Sequence, residues 1–444
     1  MVHRSKARGL SVWMNGELVG RWRLLSSGGQ EFAYTDEWLA SPSARPLSLS
    51  LPLRPSGKPY TDEAATYFDN LLPDNAEIRS RMHRRFQTAS ANAFDLLEQA
   101  GRDCVGAVQL VKEGEEPAPV RAIQATPVDD MRIAELLSAA LSASPTEGDD
   151  DAFRISLAGA QEKTAFLWHN GGWHVPQGTT PTSHIFKLPL GRNPRGVDVS
   201  ASVENEWLCA HIVRAYGLAV PDCKMGRFGE QKTLIVERFD RKLAAEGGWW
   251  LRLPQEDFCQ VTSTPPALKY EEEGGPGIRR IMEVLIGSDH ADADRRAFLR
   301  AQVVFWLLAA TDGHGKNFSL FLLPGSAFRL TPLYDVLSVH PILGHGRGQL
   351  APEKIRMAMA LEGKNRHYRW RDIRYRHWLE SARRCGFVEM DAVLDELVAM
   401  TPAVIDSVEK LLPDDFPAEI ASRIFDGVRA AAKSLGEEIG LARS

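Results

Sequence analysis

Cysteine is scarce in this sequence, with five residues among 444 and no pair at CxxC or CxxxC spacing. An odd number of scattered cysteines argues against a disulfide framework and against a structural zinc site. Long apolar runs are also missing, because the longest, Val303 to Ala310, is far shorter than the roughly 20 residues that span a bilayer. The N-terminus has no apolar signal core. We therefore expect a cytoplasmic protein with no membrane partner.

An excess of basic residues is absent as well, since the formal net charge is −5. The whole chain thus gives no reason to expect binding to nucleic acid, and any such contact requires a local patch. The amino-acid composition is that of an ordinary globular protein, with 44% apolar and 25% charged residues. The length predicts two or three domains, and the apolar content is sufficient for a sizeable core.

Composition and periodicity divide the chain into four predicted segments: 1–110, 111–151, 152–240 and 241–444. The first is an α+β domain, with strand patterns broken at Asn15-Gly16 and Gly28-Gly29 and a helical region from about Asp62 to Ala100. The second is an acidic, proline-containing connector around one predicted helix. The last is helical past about residue 370, with interruptions at Pro402 and at Leu412 to Pro417.

The most informative stretch is Thr-Asp-Gly-His-Gly-Lys-Asn at residues 311–317. A helix is predicted before it, from Arg295 to Ala310, so the loop would start at a rigid helix end. Two strands are predicted after it, from Phe318 to Leu323 and from Phe328 to Leu333. This hairpin would return the chain and bring the following aspartate, Asp335, beside the end of the loop.

Asp312, Asn317 and Asp335 suit phosphoryl transfer. An Asp, an Asn five residues later and a second Asp after a hairpin is the order in which eukaryotic-type kinases present a catalytic base and two metal ligands. Asn and Asp oxygens suit Mg²⁺, which shares phosphate oxygens with its nucleotide, and Asp312 is then free to accept a hydroxyl proton. Taken one at a time, each residue also has a simpler interpretation: Asp312 belongs to an ordinary turn, Asn317 is a cap and Asp335 is a solvated loop residue. Their order around a hairpin favours the functional interpretation.

Residues 152–240 have the pattern of a nucleotide-binding lobe. Strands predicted at Phe153 to Leu157 and at Lys163 to Trp168 flank a small-residue loop, Ala158 to Gln161, whose backbone N–H groups could bind phosphates. Lys187 interrupts an apolar strand and precedes a helix predicted from Ser200 to Tyr216, which is where kinases keep the lysine that pairs nucleotide phosphates. The alternative is an outward, solvated lysine. A strand from Lys232 to Phe239 would end where a hinge holds an adenine.

Several motifs resemble the HipA-like kinase family, over nearly the whole chain. In the C-terminal part they are Ile155-Ser-Leu-Ala-Gly-Ala-Gln-Glu-Lys-Thr-Ala165, Val236-Glu-Arg-Phe-Asp-Arg241, Arg252-Leu-Pro-Gln-Glu-Asp257, Thr311-Asp-Gly-His-Gly-Lys-Asn-Phe318 and Leu330-Thr-Pro-Leu-Tyr-Asp335. In the N-terminal part they are Ala44-Arg-Pro-Leu-Ser-Leu-Ser-Leu-Pro52, Phe68-Asp-Asn-Leu-Leu-Pro-Asp74 and Gly101-Arg-Asp-Cys-Val-Gly-Ala-Val108.

The resemblance implies an α+β fold of the two-lobed protein-kinase type, related to the phosphatidylinositol kinases, with a small N-terminal α+β domain and a mostly helical C-terminal lobe. Asp312 matches the catalytic base, Asn317 and Asp335 match the metal ligands, and Ser156 matches a regulatory autophosphorylation site. The residues implied to bind ATP in the nucleotide lobe are Ala158, Gly159, Ala160, Gln161, Glu162, Lys163, Lys187, Glu237, Arg238 and Phe239. Those in and after the loop are His314, Lys316, Asn317 and Asp335, and for His314 and Lys316 a purely structural role is equally open.

The family also implies a function. Its members are toxins of type II toxin–antitoxin modules that transfer the ATP γ-phosphate, with Mg²⁺, to a protein serine, and the implied substrate is glutamyl-tRNA synthetase. Phosphorylation of the synthetase stops tRNA charging and arrests growth. A HipB-like helix-turn-helix antitoxin neutralises the toxin, and the pair represses its operon on operator DNA.

Two other functions stay open. A basic segment with interleaved aromatic residues could contact DNA, so the chain could be a DNA-bound co-repressor with secondary kinase activity. Its basic residues are Lys364, Arg366, Arg369, Arg371, Arg374 and Arg376. The simpler interpretation of such a run is a solvated face. The third possibility is a small-molecule or lipid kinase that shares the loop.

Overall fold

The computed structural model describes residues 7–140, 161–192 and 196–444. Contacts along the chain separate two units. The first comprises Met1–Leu188, Gly226–Ala267 and Ser319–Phe328, and the second comprises Pro189–Met225, Leu268–Phe318 and Arg329–Ser444. Helices and strands both occur, which confirms the mixed α+β content. Within the described residues, every helix is too short or too polar to cross a membrane.

The first unit begins with an antiparallel sheet of four strands in the order β3-β2-β1-β4. The strands are β1 (Arg8–Met14), β2 (Glu17–Leu24), β3 (Gln30–Tyr34) and β4 (Val108–Lys112). Asn15 and Gly16 have φ angles of 47° and 88°, the left-handed conformation that a two-residue hairpin turn requires. The strand breaks predicted at Asn15-Gly16 and at Gly28-Gly29 are therefore confirmed.

Four helices accompany this sheet: α1 (Asp36–Ala40), α2 (Asp62–Asp69), α3 (Ala76–Phe86) and α4 (Ala93–Ala100). Trp22 of β2 stacks on Phe68 of α2 with ring centroids 4.0 Å apart, and Phe94 of α4 packs on the same indole at 4.8 Å. All three rings are buried and lie in one hydrophobic core. The helical region predicted from about Asp62 to Ala100 is confirmed as three helices.

The second sheet has six strands in the order β5-β7-β6-β8-β10-β9. They are β5 (Ala125–Val128), β6 (Lys163–His169), β7 (Gly172–Pro176), β8 (His184–Lys187), β9 (Cys223–Phe228) and β10 (Gln231–Glu237). Helix α5 (Asp130–Ala140) packs its Leu136 and Leu137 into a core with Phe166 and Phe186. The strands predicted around residues 163, 187 and 235 are confirmed, whereas the one predicted at Phe153 to Leu157 lies outside the described residues.

Two small sheets follow. Strands β11 (Arg241–Leu243) and β12 (Trp250–Arg252) pair antiparallel, and β13 (Gln255–Asp257), β14 (Ser319–Leu322) and β15 (Phe328–Leu330) form a sheet in that order, with α7 (Phe258–Val261) after β13. The predicted hairpin after residue 317 is thus confirmed. Its second strand ends three residues before the predicted Leu333, because Pro332 has no N–H group to donate to a ladder.

The second unit is mainly helical. Its helices are α6 (Ser202–Ala215), α8 (Ile278–Leu285), α9 (Ala291–Leu307), α10 (Tyr375–Arg384), α11 (Met390–Glu409) and α12 (Ala418–Arg443), with one hairpin of β16 (Arg356–Glu362) and β17 (Arg366–Arg369). The break predicted at Leu412 to Pro417 is confirmed between α11 and α12.

The interruption predicted at Pro402 is wrong, because α11 continues through this residue. Proline removes one main-chain hydrogen bond and usually kinks or ends a helix. Here Leu397 and Ile405, on either side of the proline, are fully buried. The hydroxyl of Thr401 also donates to the carbonyl of Leu397 at 2.9 Å. Tertiary packing of the apolar face therefore outweighs the local effect of the proline.

Candidate active site

The loop at 311–317 starts from a buried helix end. Helix α9 ends at Leu307, three residues earlier than predicted, because Ala309 takes a left-handed conformation with φ of 47°. The N–H groups of Ala309 and Ala310 donate to the carbonyls of Trp306 and Phe305 at 3.0 and 2.8 Å. This is the Schellman arrangement that usually has glycine at the left-handed position. A tightly closed helix end therefore precedes the loop.

Aromatic side chains fix the two ends of the loop. A Cβ atom at Gly313 would lie 2.7 Å from the ring of Phe305, so the loop approaches α9 more closely than any side chain at this position permits. At the other end, Phe318 packs against Phe298 and Phe305, with ring centroids 5.0 and 5.6 Å apart. The backbone between these contacts is thus held on the helix.

Within the loop, the side chain of Asp312 faces solvent, whereas those of His314, Lys316 and Asn317 face inward. The side chain of Asp312 is 59% exposed, whereas His314, Lys316 and Asn317 are buried. Nδ2 of Asn317 donates to the carbonyl of Asp312 at 2.7 Å, which turns the amide oxygen of Asn317 away from that carbonyl. The oxygen is the atom that a magnesium ion would need.

Asp335 is held beside the loop by its neighbour. The hydroxyl of Tyr334 donates to the carbonyl of Lys316 at 2.8 Å, so the segment carrying Asp335 meets the residue that precedes Asn317. Asp335 has φ of 58°, a left-handed conformation that is uncommon outside glycine and concentrates at functional sites. One amide oxygen and one carboxylate suit Mg²⁺ when phosphate oxygens complete its coordination. Among residues 7–140, 161–192 and 196–444, no group of three His, Cys, Asp or Glu side chains could hold a metal ion.

In the first unit, Lys187 is buried, with 3% of its surface exposed, so the outward, solvated alternative is wrong. Its partner across the ladder between β8 and β6 is Lys163. Directly opposite residues of an antiparallel pair point to the same face, and like charges there repel each other. The two lysines therefore lie on the same face of the second sheet. Of the predicted phosphate loop, Ser156, Ala158, Gly159 and Ala160 lie outside the described residues.

Gln161 and Glu162 are connected to the residue that follows Lys187. The side chain of Gln161 donates to the carbonyl of Leu188 at 2.6 Å, and the N–H of Leu188 donates to the carbonyl of Glu162 at 3.2 Å. The carboxylate of Glu162 also contacts Arg81 of α3. The start of β6 and the end of β8 are therefore joined by both main-chain and side-chain contacts.

The predicted hinge residues differ in their surroundings. Glu237 is exposed, and Phe239 packs edge-to-face on Phe321 with ring centroids 5.8 Å apart. Arg238 is buried, and its guanidinium group donates to Asp240 at 2.8 and 2.9 Å and to Asp103 at 3.3 Å. Its main-chain N–H donates to the carbonyl of Ser183 at 2.9 Å, and its carbonyl accepts from the N–H of Arg241 at 3.1 Å.

Arg238 belongs to a buried ion cluster that the sequence did not predict. Its members are Asp103, Arg238, Asp240, Arg241 and Arg252, and each is at most 6% exposed. Burial alone would raise the pKa of Asp103, but the guanidinium groups of Arg241, Arg238 and Arg252 outweigh it and hold that pKa well below its ordinary value. Burial lowers the pKa of Arg252 to about 10. Three of the motifs that carried the family resemblance meet in this cluster, which joins the segment before β4 to the segment after β10 and to strands β11 and β12.

The aromatic residues of the basic segment are engaged inside the second unit. The indole N–H of Trp370 donates to the carbonyl of Trp306 at 2.8 Å, and the hydroxyl of the buried Tyr375 donates to Asp391 at 2.5 Å. Arg374 pairs with Glu438 at 3.0 Å. The six basic side chains are exposed, so the segment presents positive charge without free aromatic rings for base stacking.

Comparisons with known proteins agree with these features. A family model described as HipA-like C-terminal domain matches residues 155–405, and one described as HipA N-terminal domain matches residues 10–111. The chain is 35% identical over 336 residues to Y4mE of Sinorhizobium fredii, which carries a provisional kinase name, across 74% of this chain and 77% of the relative. It is 27% identical over 317 residues to the serine/threonine-protein kinase toxin HipA of Shewanella oneidensis, across 69% of each chain.

The fold is similar to a solved structure of Shewanella oneidensis HipA with HipB and operator DNA. The TM-score is 0.80 at 21% sequence identity, across 98% of this chain and 99% of the other. At this identity the likeness establishes the fold alone.

Proposed function

Because the chain belongs to the HipA family, we propose that it is an ATP-dependent serine/threonine-protein kinase and the toxin of a type II toxin–antitoxin module. One observation carries the proposal most directly: the hydrogen bond from Tyr334 to the carbonyl of Lys316 holds the Asp335 segment against the loop of Asp312 and Asn317. A base and two magnesium ligands in this order are the parts that phosphoryl transfer needs.

In the proposed mechanism, Asp312 accepts the proton of a serine hydroxyl and orients its oxygen towards the γ-phosphate. Asn317 and Asp335 hold Mg²⁺, which neutralises phosphate charge when bound. Lys187 pairs with the phosphates, and residues 158–163 supply backbone N–H groups to them. Glu237, Arg238 and Phe239 hold the adenine as a hinge, and His314 and Lys316 contact the γ-phosphate.

The proposed architecture is a two-lobed kinase fold of the phosphatidylinositol-kinase-related type. Its N-terminal domain is residues 1–110, its connector 111–151, its nucleotide-binding lobe 152–240 and its catalytic and helical lobe 241–444. The proposed substrate is glutamyl-tRNA synthetase in the cytoplasm, so that phosphorylation stops tRNA charging and produces growth arrest and persistence. Autophosphorylation at Ser156 switches the kinase off, because a phosphate adds about −1.5 to −2 charges beside the loop that binds ATP phosphates.

We also propose a HipB-like helix-turn-helix antitoxin as partner, with which the chain represses its operon. The solved Shewanella oneidensis structure contains HipA, HipB and operator DNA, which supports this assignment. The exposed arginines of the basic segment favour direct contact with DNA phosphates. Replacing Arg369 and Arg371 by Gln should then weaken operator binding by the complex and reduce its salt dependence, and an unchanged salt slope would exclude the contact.

The kinase proposal is tested by incubating the purified chain with γ-labelled ATP, Mg²⁺ and one of three acceptors: glutamyl-tRNA synthetase, a phosphatidylinositol lipid or an aminoglycoside. Transfer of the label to a protein serine supports the proposal. Transfer to the lipid or the aminoglycoside alone would show instead that the chain is a lipid kinase or a small-molecule kinase. Asp312→Asn should keep ATP binding but lose transfer by about 100- to 10,000-fold.

The exposed Asp289, which pairs with the exposed His290, provides a matched control, since Asp289→Asn should leave transfer unchanged. Intact-mass analysis of the same samples examines Ser156. The wild-type chain should carry a phosphate there and Asp312→Asn should not. Transfer by Asp312→Asn at the wild-type rate would remove Asp312 from the catalytic role.

A further inference from the structure

The hydroxyl of Tyr270 donates a hydrogen bond to Oδ1 of Asp312, although the two residues are 42 positions apart. We propose that Tyr270 is a positioning residue for the catalytic base: it holds one carboxylate oxygen so that the other faces the acceptor hydroxyl. This inference rests on the proposed kinase function. Tyr270 lies in an acidic stretch, Lys-Tyr-Glu-Glu-Glu, and no local pattern connects it with the loop.

Asp312 needs such a contact because its side chain is 59% exposed. An exposed carboxylate on a loop samples several rotamers, whereas a general base must keep one oxygen within hydrogen-bond reach of the hydroxyl. The Tyr270 hydroxyl and, at 3.9 Å, Nε2 of His314 both contact Oδ1. Oδ2 is consequently the oxygen that is presented to an acceptor.

Contacts with the loop at 311–317 hold Tyr270 in place. Its ring packs edge-to-face on His314, with centroids 5.0 Å apart and an interplanar angle of 89°. The N–H of Gly315 donates to the carbonyl of Lys269 at 3.3 Å, so main-chain and side-chain contacts link the same two segments. The hydroxyl therefore approaches Asp312 from a ring that is already fixed.

The other side of the Tyr270 segment is anchored to β16. The carboxylate of Glu271 accepts from the N–H of Ala360 at 2.6 Å, and Glu272 pairs with Arg356 at 2.7 Å. The turn behind the segment is closed tightly, since a Cβ atom at Gly275 would lie 2.4 Å from the carbonyl oxygen of Leu268. The position of Tyr270 is thus set by the second unit's β-hairpin as well as by the loop.

A competing possibility is that the Tyr270 hydroxyl blocks the base by occupying the place of the acceptor. The two possibilities predict opposite kinetics for Tyr270→Phe, which keeps the ring on His314 and removes only the hydroxyl. Positioning predicts a kcat about 10-fold lower, as part of the 100- to 10,000-fold that a general base contributes, with the KM values for ATP and for the protein acceptor within twofold of wild type. Blocking predicts a higher kcat or a lower KM for the acceptor.

Tyr375→Phe is the matched control, because it removes another tyrosine-to-carboxylate hydrogen bond from the same unit, to Asp391. It should leave kcat unchanged. Kinetics are measured as transfer from γ-labelled ATP to dephosphorylated casein and to the chain itself, per folded molecule counted by ATP-binding stoichiometry. This correction removes any effect of Tyr270→Phe on folding.

A kcat of Tyr270→Phe equal to wild type, or a gain in activity, overturns the inference while leaving the kinase function intact. Failure of the proposed function has a different signature. In that event neither acceptor is labelled above the level seen with Asp312→Asn, and the inference falls with it. A fall in kcat that Tyr375→Phe reproduces also overturns it, because the effect would then be general to the unit.

Discussion

Replacing Asp103 by Asn should destabilise the first unit strongly. Oδ1 of Asp103 accepts from Arg241 at 2.9 Å and from Arg252 at 3.1 Å, and Oδ2 accepts from Arg238 at 3.3 Å and from the N–H and hydroxyl of Thr182 at 3.0 and 2.7 Å. Three guanidinium groups share two carboxylates, so the cluster has a formal charge of +1, and Asp103→Asn makes it +2. The NH₂ group of the new asparagine would also face the N–H and O–H groups that now donate to the carboxylate, and it cannot accept a hydrogen bond from them.

Removing one member of a buried ion pair costs about 3–5 kcal/mol, because the remaining charge stays buried without compensation. Since about 1.4 kcal/mol is a factor of ten, local opening of the cluster should become about 100- to 4,000-fold more frequent. Native-state hydrogen exchange measures this opening in peptides spanning β4, β10 and β12. Glu135→Gln in the exposed pair with Arg132 on α5 is the control and should leave exchange in those peptides unchanged.

The pH dependence follows from the direction of the shift. The pKa of Asp103 is lower in the folded chain than its ordinary value of 3.8, so its contribution to stability is complete above pH 4 and is lost as pH falls through the folded pKa. Acid should therefore destabilise the wild-type cluster more than that of Asp103→Asn. Exchange in the variant within tenfold of wild type at neutral pH would refute the assignment of Asp103 as the charge-compensating centre.

Two further predictions concern the loop and its neighbours. Asp335→Ala should weaken binding of ATP with Mg²⁺ more than binding of ADP without metal, and calorimetry that finds equal losses would make Asp335 a structural residue. Ala309→Gly should raise the free energy of unfolding of the second unit by about 1 kcal/mol, because glycine adopts the left-handed conformation of residue 309 without the cost that alanine has. A lower urea midpoint for Ala309→Gly would contradict this account of the helix end.

The parts of the structure that the sequence predicted are local. The hairpin of β14 and β15, the strands around Lys187 and the helices of the N-terminal segment each depend on short patterns of apolar residues and turns. The wrong break at Pro402 has the opposite cause, since contacts of Leu397 and Ile405 with the rest of the unit decide the helix there. Local propensity could not include them.

In the candidate site, too, only residues that are close in the sequence could be predicted to act together. Asp312, Asn317 and Asp335 lie within 24 consecutive residues, so their order alone suggested a chemistry, and their roles stay predictions. Tyr270 and the ion cluster join residues separated by 42 and by up to 149 positions. No periodicity connects such positions in a single sequence. For the Val236 to Arg241 motif the sequence therefore predicts only a nucleotide hinge at Glu237 to Phe239, whereas the structure also places the side chains of Arg238 and Arg241 in the ion cluster.

The ion cluster also determines when, during synthesis of the chain, the first unit can complete its folding. Arg252 follows Asp103 by 149 residues, and ribosomes add about 5–20 residues per second, so Asp103 leaves the ribosome about 7–30 s before this partner. During that time the N-terminal sheet can form with Asp103 still hydrated, but the carboxylate cannot be buried at low cost. Completion of the first unit therefore waits for residue 252 and, for β14, for residues 319–322. A nascent chain paused before these points would carry the N-terminal sheet without a finished nucleotide lobe.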